Sequence, residues 1–116
     1  MKKIYAVYNG SFNYLEDIKI SPLSRAYTFS DSVYEVIPFF NFTAIAYEKH
    51  IQRLQNSCNA LGISINIEAI SSEITSLIKN SRLENGYIYY QISRGIDALR
   101  SHMYEDSLDE ETFGYA

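Results

Sequence analysis

The spacing of apolar residues changes near Tyr47, and this change constrains the fold more than any other feature of the sequence. Four apolar residues then recur at intervals of three or four, as on one face of a helix that Gly62 would end. Four more share one face of a second helix, which should end near Asn80. The two stripes consist of Ile51, Leu54, Cys58 and Leu61, and of Ile70, Ile74, Leu77 and Ile78. Two amphipathic helices in succession require a shared apolar surface to cover.

Strand-like segments before and after the helices can supply that surface. Two short ones surround the Asn9-Gly10 pair, a dipeptide that favours a tight hairpin. Residues 33–46 suggest a second hairpin, and Asn85-Gly86 leads into a strand rich in tyrosine. The sequence therefore predicts an α+β fold, a two-layer small domain with a mostly antiparallel sheet and two helices on one face.

Alternation within residues 33–39 separates two faces of one predicted strand. Tyr34, Val36 and Pro38 share the first face, which is either a pocket wall or the exposed side of an edge strand. Glu35 falls among apolar residues on the second face and would need a partner if it were buried. Pro38 favours a sheet edge or a bulge, because proline cannot donate to a strand ladder.

Two pairs of polar side chains could bind an anion. His50 and Arg53 share a helix face beside the apolar stripe. Their spacing alone favours a solvated flank, whereas a guanidinium in a cleft would suit a phosphate. Arg100 and His102 lie on a loop after the tyrosine-rich strand and offer a carboxylate a permanent cation and a titratable donor. This second pattern is also common on solvated surfaces.

Charge and composition exclude several classes of function. The net charge of −4 argues against a nucleic-acid or acidic-membrane partner, since either would require a basic face. The sequence shows no signal-peptide pattern and no apolar run that approaches a membrane span. Cys58 is the single cysteine, so neither a disulfide framework nor a cysteine metal site is expected. We expect one domain over residues 1–116, located in the cytoplasm and without a metal.

Four segments, in order along the chain, carry a resemblance to a known family. They are SRAYTFSDSVYEV (24–36), EKHIQRL (48–54), GYIYYQISRG (86–95) and RSH (100–102). Together they resemble the N-terminal small domain of the class IV (fold-type IV) pyridoxal-phosphate aminotransferases. Within that family they are most similar to the D-amino-acid transaminase branch.

The resemblance implies a cofactor and a second domain. Arg53 matches the arginine that grips the phosphate of pyridoxal 5′-phosphate, and His50 is the histidine one turn before it. The lysine that forms a Schiff base with the cofactor belongs to a C-terminal domain, which this chain would lack beyond Ala116. No lysine of the chain lies in a matching motif, so the isolated chain is expected to be inactive.

The resemblance also implies a substrate site shared between subunits. Tyr34 matches a tyrosine that helps to hold the substrate carboxylate, and Val36 matches a position in the side-chain pocket. Arg100 and His102 match a carboxylate trap that reaches into the neighbouring subunit, so a homodimer is expected. The substrates would be a D-amino acid and a 2-oxo acid.

Departures from the family pattern fall near these residues. Ser30 and Ser32 replace glycines, which permit positive φ and close backbone approach, so the resemblance does not extend to the residues that form the turn before the strand. Pro38 replaces a longer residue in the side-chain pocket, and one extra residue between Arg94 and Arg100 offsets the loop.

Other functions remain open at this point. Within the family, the alternatives are a branched-chain aminotransferase and an aminodeoxychorismate lyase; the Arg100 and His102 pair favours the D-amino-acid branch over both. The tyrosine-rich strand is also reminiscent of an RNA-binding strand, although the acidic net charge argues against that function. A non-enzymatic binding or assembly domain with an aromatic surface is a further alternative.

Overall fold

The computed structural model describes residues 3–105 and 107–116. The predicted strands and helices occur in the predicted order, and the structure adds one short helix and one further strand. Its strands are β1 (Tyr5–Tyr8), β2 (Ser11–Tyr14), β3 (Ser32–Phe40), β4 (Thr43–Ala44), β5 (Gly86–Ser93) and β6 (Glu111–Tyr115). Its helices are α1 (Arg25–Phe29), α2 (Tyr47–Leu61) and α3 (Ile67–Ser81), with a short 3₁₀ turn at Leu15–Asp17.

The six described strands form one sheet in the order β2-β1-β6-β5-β3-β4, and all neighbouring pairs are antiparallel. Helices α2 and α3 cover one face, where Leu54 and Leu77 pack with Ile37, Ile88 and Tyr90 in a single buried cluster. The predicted α+β fold with two helices on one face is therefore confirmed. Within the described ranges, no helix combines the length and apolar character that a membrane crossing would require.

The ends of α2 and α3 follow from local chemistry. Gly62 adopts a left-handed conformation after α2, and its N–H donates to the carbonyls of Asn59 and Cys58. The Asn66 side chain caps α3 by accepting from the Ala69 N–H at 3.1 Å. The predicted stripes are buried with one exception, since Leu61, predicted in the first stripe, is 36% exposed. It is the last residue of α2, and Ile63, just after the helix, is buried instead.

Both predicted hairpins are confirmed, and they share one turn geometry. Asn9 and Gly10 have φ values of 47° and 83° between β1 and β2. Asn41 and Phe42 have φ values of 51° and 61° between β3 and β4, although neither is glycine. Hydrogen bonds at 2.9 and 2.8 Å fix the second turn, from the Asn41 N–H to the Asn85 side chain and from the Phe42 N–H to a backbone carbonyl.

Pro38 ends the pairing between β3 and the edge strand β4. The Pro38 carbonyl accepts a hydrogen bond from the Ile45 N–H at 2.8 Å. The Pro38 nitrogen faces the same side of the strand, but it carries no hydrogen and cannot donate to the Ile45 carbonyl. The ladder between β3 and β4 is therefore limited to Phe39 and Phe40 on β3. The prediction that Pro38 lies at a sheet edge or a bulge is confirmed, and no described strand pairs with the rest of β3 on that side.

Strand β6 was not predicted from the sequence, although it lies in the middle of the sheet between β1 and β5. Its helix-facing residue Gly114 leaves room for a ring of β5, since a Cβ there would lie 2.8 Å from Tyr90 Cδ2. A glycine at the buried position removes the apolar alternation by which strands are recognised.

The face of the sheet away from α2 and α3 is aromatic. Tyr89 stacks on Tyr34 and on Tyr115, with both pairs of ring centroids 5.5 Å apart, and Phe113 packs at an angle beside them. These four residues are called the aromatic face below. Such stacked rings stabilise a sheet through cross-strand contacts.

Candidate functional site

The predicted site residues, with Glu35 and Phe29 that contact them, fall into two groups at different places in the fold. The β3-edge group lies where no described strand pairs with that side of β3, and the loop group includes the loop that follows β5. The β3-edge group comprises Tyr34, Glu35, Val36, His50 and Arg53; the loop group comprises Phe29, Arg100 and His102.

Glu35 is the centre of the β3-edge group. It points towards the helix layer and is only 4% exposed. Arg53 donates to both of its carboxylate oxygens, from Nε and from one terminal nitrogen, each at 2.8 Å. His50 Nδ1 lies 2.8 Å from Oε1 of the same carboxylate. The expectation that a buried Glu35 needs a partner is confirmed, and the partners are the two polar residues of α2.

The electrostatics of this group favour the ionised pair. Burial raises the pKa of Glu35, but the hydrogen bonds from Arg53 and His50 outweigh that effect and hold it below its ordinary value. The hydrogen bond to Glu35 in turn raises the pKa of Arg53, and the nearby Tyr34 phenol adds to this. The Arg53 side chain remains 66% exposed. Its second terminal nitrogen makes no hydrogen bond to the described residues, so it is available to a ligand.

Tyr34 and Val36 lie on the opposite side of β3, as the alternation predicted. They are 62% and 41% exposed, and Tyr34 is part of the aromatic face. Tyr34 therefore lies on the face of β3 opposite to the one from which Glu35 reaches Arg53.

The loop group is organised by one aromatic ring. The Arg100 guanidinium carbon lies 4.6 Å from the centroid of the Phe29 ring, and the His102 ring lies 5.0 Å from it. Both residues are exposed and lie outside regular secondary structure, as predicted. Phe29, at the end of α1, therefore brings a permanent cation and a titratable ring to one place.

A buried arginine supports this loop, and no role was predicted for it from the sequence. Arg25 is 4% exposed and donates to Asp31 and to Asp97, each at 2.9 Å. Arg94 donates to the same oxygen of Asp31 at 2.7 Å. Burial raises the pKa of Asp31, but hydrogen bonds from Arg94 and Arg25 outweigh it and lower the pKa. Both arginines belong to the segments that carry the family resemblance, which was the available signal.

The serines that replace family glycines leave the turn before β3 intact. Ser30 adopts the left-handed conformation, with φ of 53° and ψ of 33°, and its N–H donates to the Arg25 carbonyl. Ser32 has no positive φ and is the first residue of β3. The glycine-like geometry at position 30 is therefore retained in spite of the side chain.

The two groups are separate within one chain. Among residues 3–105 and 107–116, no hydrogen bond, ion pair or ring contact joins Tyr34 to Arg100 or His102. The residues that the resemblance assigns to one substrate carboxylate are thus divided between the edge of β3 and the loop after β5.

The chain belongs to the class IV aminotransferase family. The family pattern described as amino-transferase class IV matches residues 32–115, which confirms the resemblance seen in the sequence. Among curated proteins, D-alanine aminotransferase of Staphylococcus epidermidis is 33% identical over 106 residues, which cover 90% of this chain and 36% of that protein. D-alanine aminotransferase of Listeria monocytogenes is 30% identical over 98 residues, with coverages of 83% and 34%. The chain spans about a third of the length of these relatives.

Solved structures show the same fold at lower sequence identity. Branched-chain amino acid aminotransferase of Escherichia coli superposes with a TM-score of 0.86 at 22% identity, covering 97% of this chain and 40% of that one. 4-Amino-4-deoxychorismate lyase of Pseudomonas aeruginosa gives a TM-score of 0.80 at 19% identity, with coverages of 94% and 38%. At these identities the likeness establishes the fold alone.

Proposed function

We propose that residues 1–116 are the N-terminal small domain of a pyridoxal-phosphate-dependent D-amino-acid transaminase, which transfers an amino group from a D-amino acid to a 2-oxo acid. The observation that carries this proposal is the convergence of Arg100 and His102 on the Phe29 ring. The names of the relatives at 30–33% identity support the same assignment. The protein is proposed to act in the cytoplasm.

Arg53 is proposed to bind the phosphate of the cofactor. Its guanidinium fits this role because Glu35 fixes its plane while one terminal nitrogen remains available. Since Glu35 also neutralises the charge, Arg53 would contribute oriented N–H donors more than net positive charge. The bound cofactor supplies an electron sink for negative charge at the substrate α-carbon. His50 acts through Glu35, whose carboxylate it helps to hold.

Arg100 and His102 are proposed to bind the substrate carboxylate, and Tyr34 to contact it from the edge of β3. Because one chain does not join these residues, we assign them to two protomers of a homodimer, in which the loop of one completes the site of the other. Val36 would line the pocket for the substrate side chain. The lysine that carries the cofactor would belong to a C-terminal domain outside this chain, so the isolated chain should have no transaminase activity.

Two substitutions in the full-length protein test these assignments. Arg100→Ala should raise KM for a D-amino acid at least ~10-fold and leave cofactor affinity unchanged, since it removes one charge-assisted contact. Arg53→Lys should weaken cofactor affinity ~10-fold, because an ammonium cannot replace the planar fork. His102→Ala should have a smaller effect than Arg100→Ala, because an imidazole offers a carboxylate fewer N–H donors than a guanidinium does.

Mixed dimers separate the two sites. Combining Arg100→Ala subunits with Arg53→Lys subunits should restore one complete site per heterodimer. If the mixture is no more active than either variant, Arg100 acts within its own subunit or does not bind substrate. An unchanged cofactor affinity in Arg53→Lys would instead show that Arg53 does not bind the phosphate and is only a solvated residue on the flank of α2.

The choice of substrate distinguishes the remaining alternatives. Preferred turnover of branched-chain L-amino acids, or release of pyruvate from aminodeoxychorismate, would replace the D-amino-acid assignment. If the full-length protein acts on none of these substrates, the aromatic face becomes the better candidate for function, as a surface for binding or assembly.

A further inference from the structure

The loop group is tied to the interior through two backbone carbonyls. A terminal nitrogen of Arg25 donates to the carbonyl of Ser101 at 2.7 Å, and the other donates to that of His102 at 3.4 Å. These two residues directly follow Arg100. The contacts join side chain and backbone across 76 and 77 residues of sequence.

We propose that Arg25 is a positioning residue for substrate binding, which holds residues 101–102 so that Arg100 and His102 converge on Phe29. This inference rests on the proposed function, in which Arg100 and His102 bind the substrate carboxylate. It concerns a residue that has no expected contact with substrate or cofactor.

The anchor of Arg25 is well defined. Its Nε is bonded to Asp31 and one terminal nitrogen to Asp97, so the planar guanidinium has no freedom to rotate. It also lies 4.6 Å from the Phe29 ring, the ring that Arg100 approaches at 4.6 Å. The same buried side chain thus fixes both the loop backbone and the ring that supports the loop side chains.

The energetic consequence follows from loop ordering. Arg100 and His102 are exposed and lie outside helices and strands, so without the tether they would occupy many conformations. A ligand would then bind only the fraction of molecules in the competent conformation, and its apparent affinity would fall by that fraction. Immobilising two side chains corresponds to a change of ~5- to 30-fold in binding.

Arg25→Lys tests the inference in the full-length protein, because it keeps the charge but cannot bond both aspartates and both carbonyls. KM for the D-amino acid should rise ~5- to 30-fold. Both kcat and cofactor affinity should change less than ~2-fold. In the background of the Arg100→Ala, His102→Ala double variant, the same change should raise KM less than ~2-fold, since both side chains that the loop presents are already absent. Ile74→Val is the matched control, because it weakens the core away from the loop and should leave KM unchanged.

The possible outcomes separate this inference from the proposed function. If Arg100→Ala raises KM and Arg25→Lys does not, the positioning role is wrong and the proposed function stands. Equal effects of Arg25→Lys in both backgrounds would show a general structural role and also overturn it. If Arg100→Ala leaves KM unchanged, both proposals fail. Should Arg25→Lys not fold, Phe29→Leu removes the ring and must raise KM by the same logic, and an unchanged KM there would overturn the inference.

Discussion

Arg53 and Arg25 are both held by carboxylates, but their surroundings suit them to different tasks. Arg53 is 66% exposed and bonded to one buried carboxylate, with a terminal nitrogen available on the outside. Arg25 is 4% exposed, and all three of its guanidinium nitrogens are hydrogen-bonded within the chain. Arg53 is thus oriented by its partner and still has a donor nitrogen for a ligand. Every donor nitrogen of Arg25 is already hydrogen-bonded within the chain, which suits this residue to supporting a loop.

The same substitution at both arginines should give the largest contrast. Arg25→Met leaves Asp31 and Asp97 without their common partner and should lower the free energy of unfolding by about 3 kcal/mol. Arg53→Met should shift the melting temperature by no more than about 3 °C, because the Arg53 side chain is 66% exposed and the buried Glu35 keeps His50 as a partner. Urea and thermal unfolding of the two variants measure both. Equal destabilisation would contradict the distinction.

Asp31 binds Arg25 and Glu35 binds Arg53, and the contribution of each carboxylate to the stability of the fold should depend on pH. The pKa of each carboxyl group is lower in the folded state than in the unfolded state. Each group therefore contributes its full stabilisation at pH values above its unfolded-state pKa, and this stabilisation is lost as the pH falls through the folded-state pKa. At pH 7, Asp31→Asn should lower stability by about 2 kcal/mol and Glu35→Gln by about 1 kcal/mol, since Asp31 serves two arginines. Urea unfolding from pH 7 to pH 3 should show both differences shrinking below about pH 4.5. A difference that stays constant with pH would exclude the ion pairs as its source.

The smallest expected effect on stability concerns the turn between Arg25 and β3, where two serines stand at family glycine positions. Ser30→Gly should stabilise the fold by about 0.5–1 kcal/mol, because serine here has a φ of 53° that glycine adopts without strain. Ser32→Gly, at the other family glycine position, should destabilise, since Ser32 belongs to a strand. Thermal unfolding of the two variants gives the signs. Destabilisation by Ser30→Gly would mean that the serine side chain contributes more than the strain removes.

The regular parts of the fold were predictable because each is specified within a few residues. The helix stripes, the Asn9-Gly10 hairpin and the alternation that buries Glu35 all depend on local spacing. Strand β6 was missed because Gly114 occupies a buried position that would otherwise be apolar. Its place is set by contact with the Tyr90 ring, which local periodicity does not contain.

The candidate site shows the same division. The partnership of Glu35 with Arg53 follows from a strand face and a helix face, each predictable alone, so only their juxtaposition needed the structure. The support of the loop by Arg25 joins residues 76 and 77 positions apart through backbone carbonyls. Every residue has a carbonyl, so such contacts leave no mark in the sequence.

The central position of β6 also determines when the sheet can form during synthesis. β1 pairs with β6, and the Thr112 N–H reaches the Asn9 side chain at 2.8 Å across 103 residues. At ~5–20 residues per second, a ribosome needs about 5–20 s to make that stretch. A β1–β2 hairpin that forms during this interval has one edge of β1 without its β6 partner, and that edge is open to pairing with foreign strands. Helices α2 and α3 can form earlier, but the two halves of the sheet join only after residues 111–115 leave the exit tunnel.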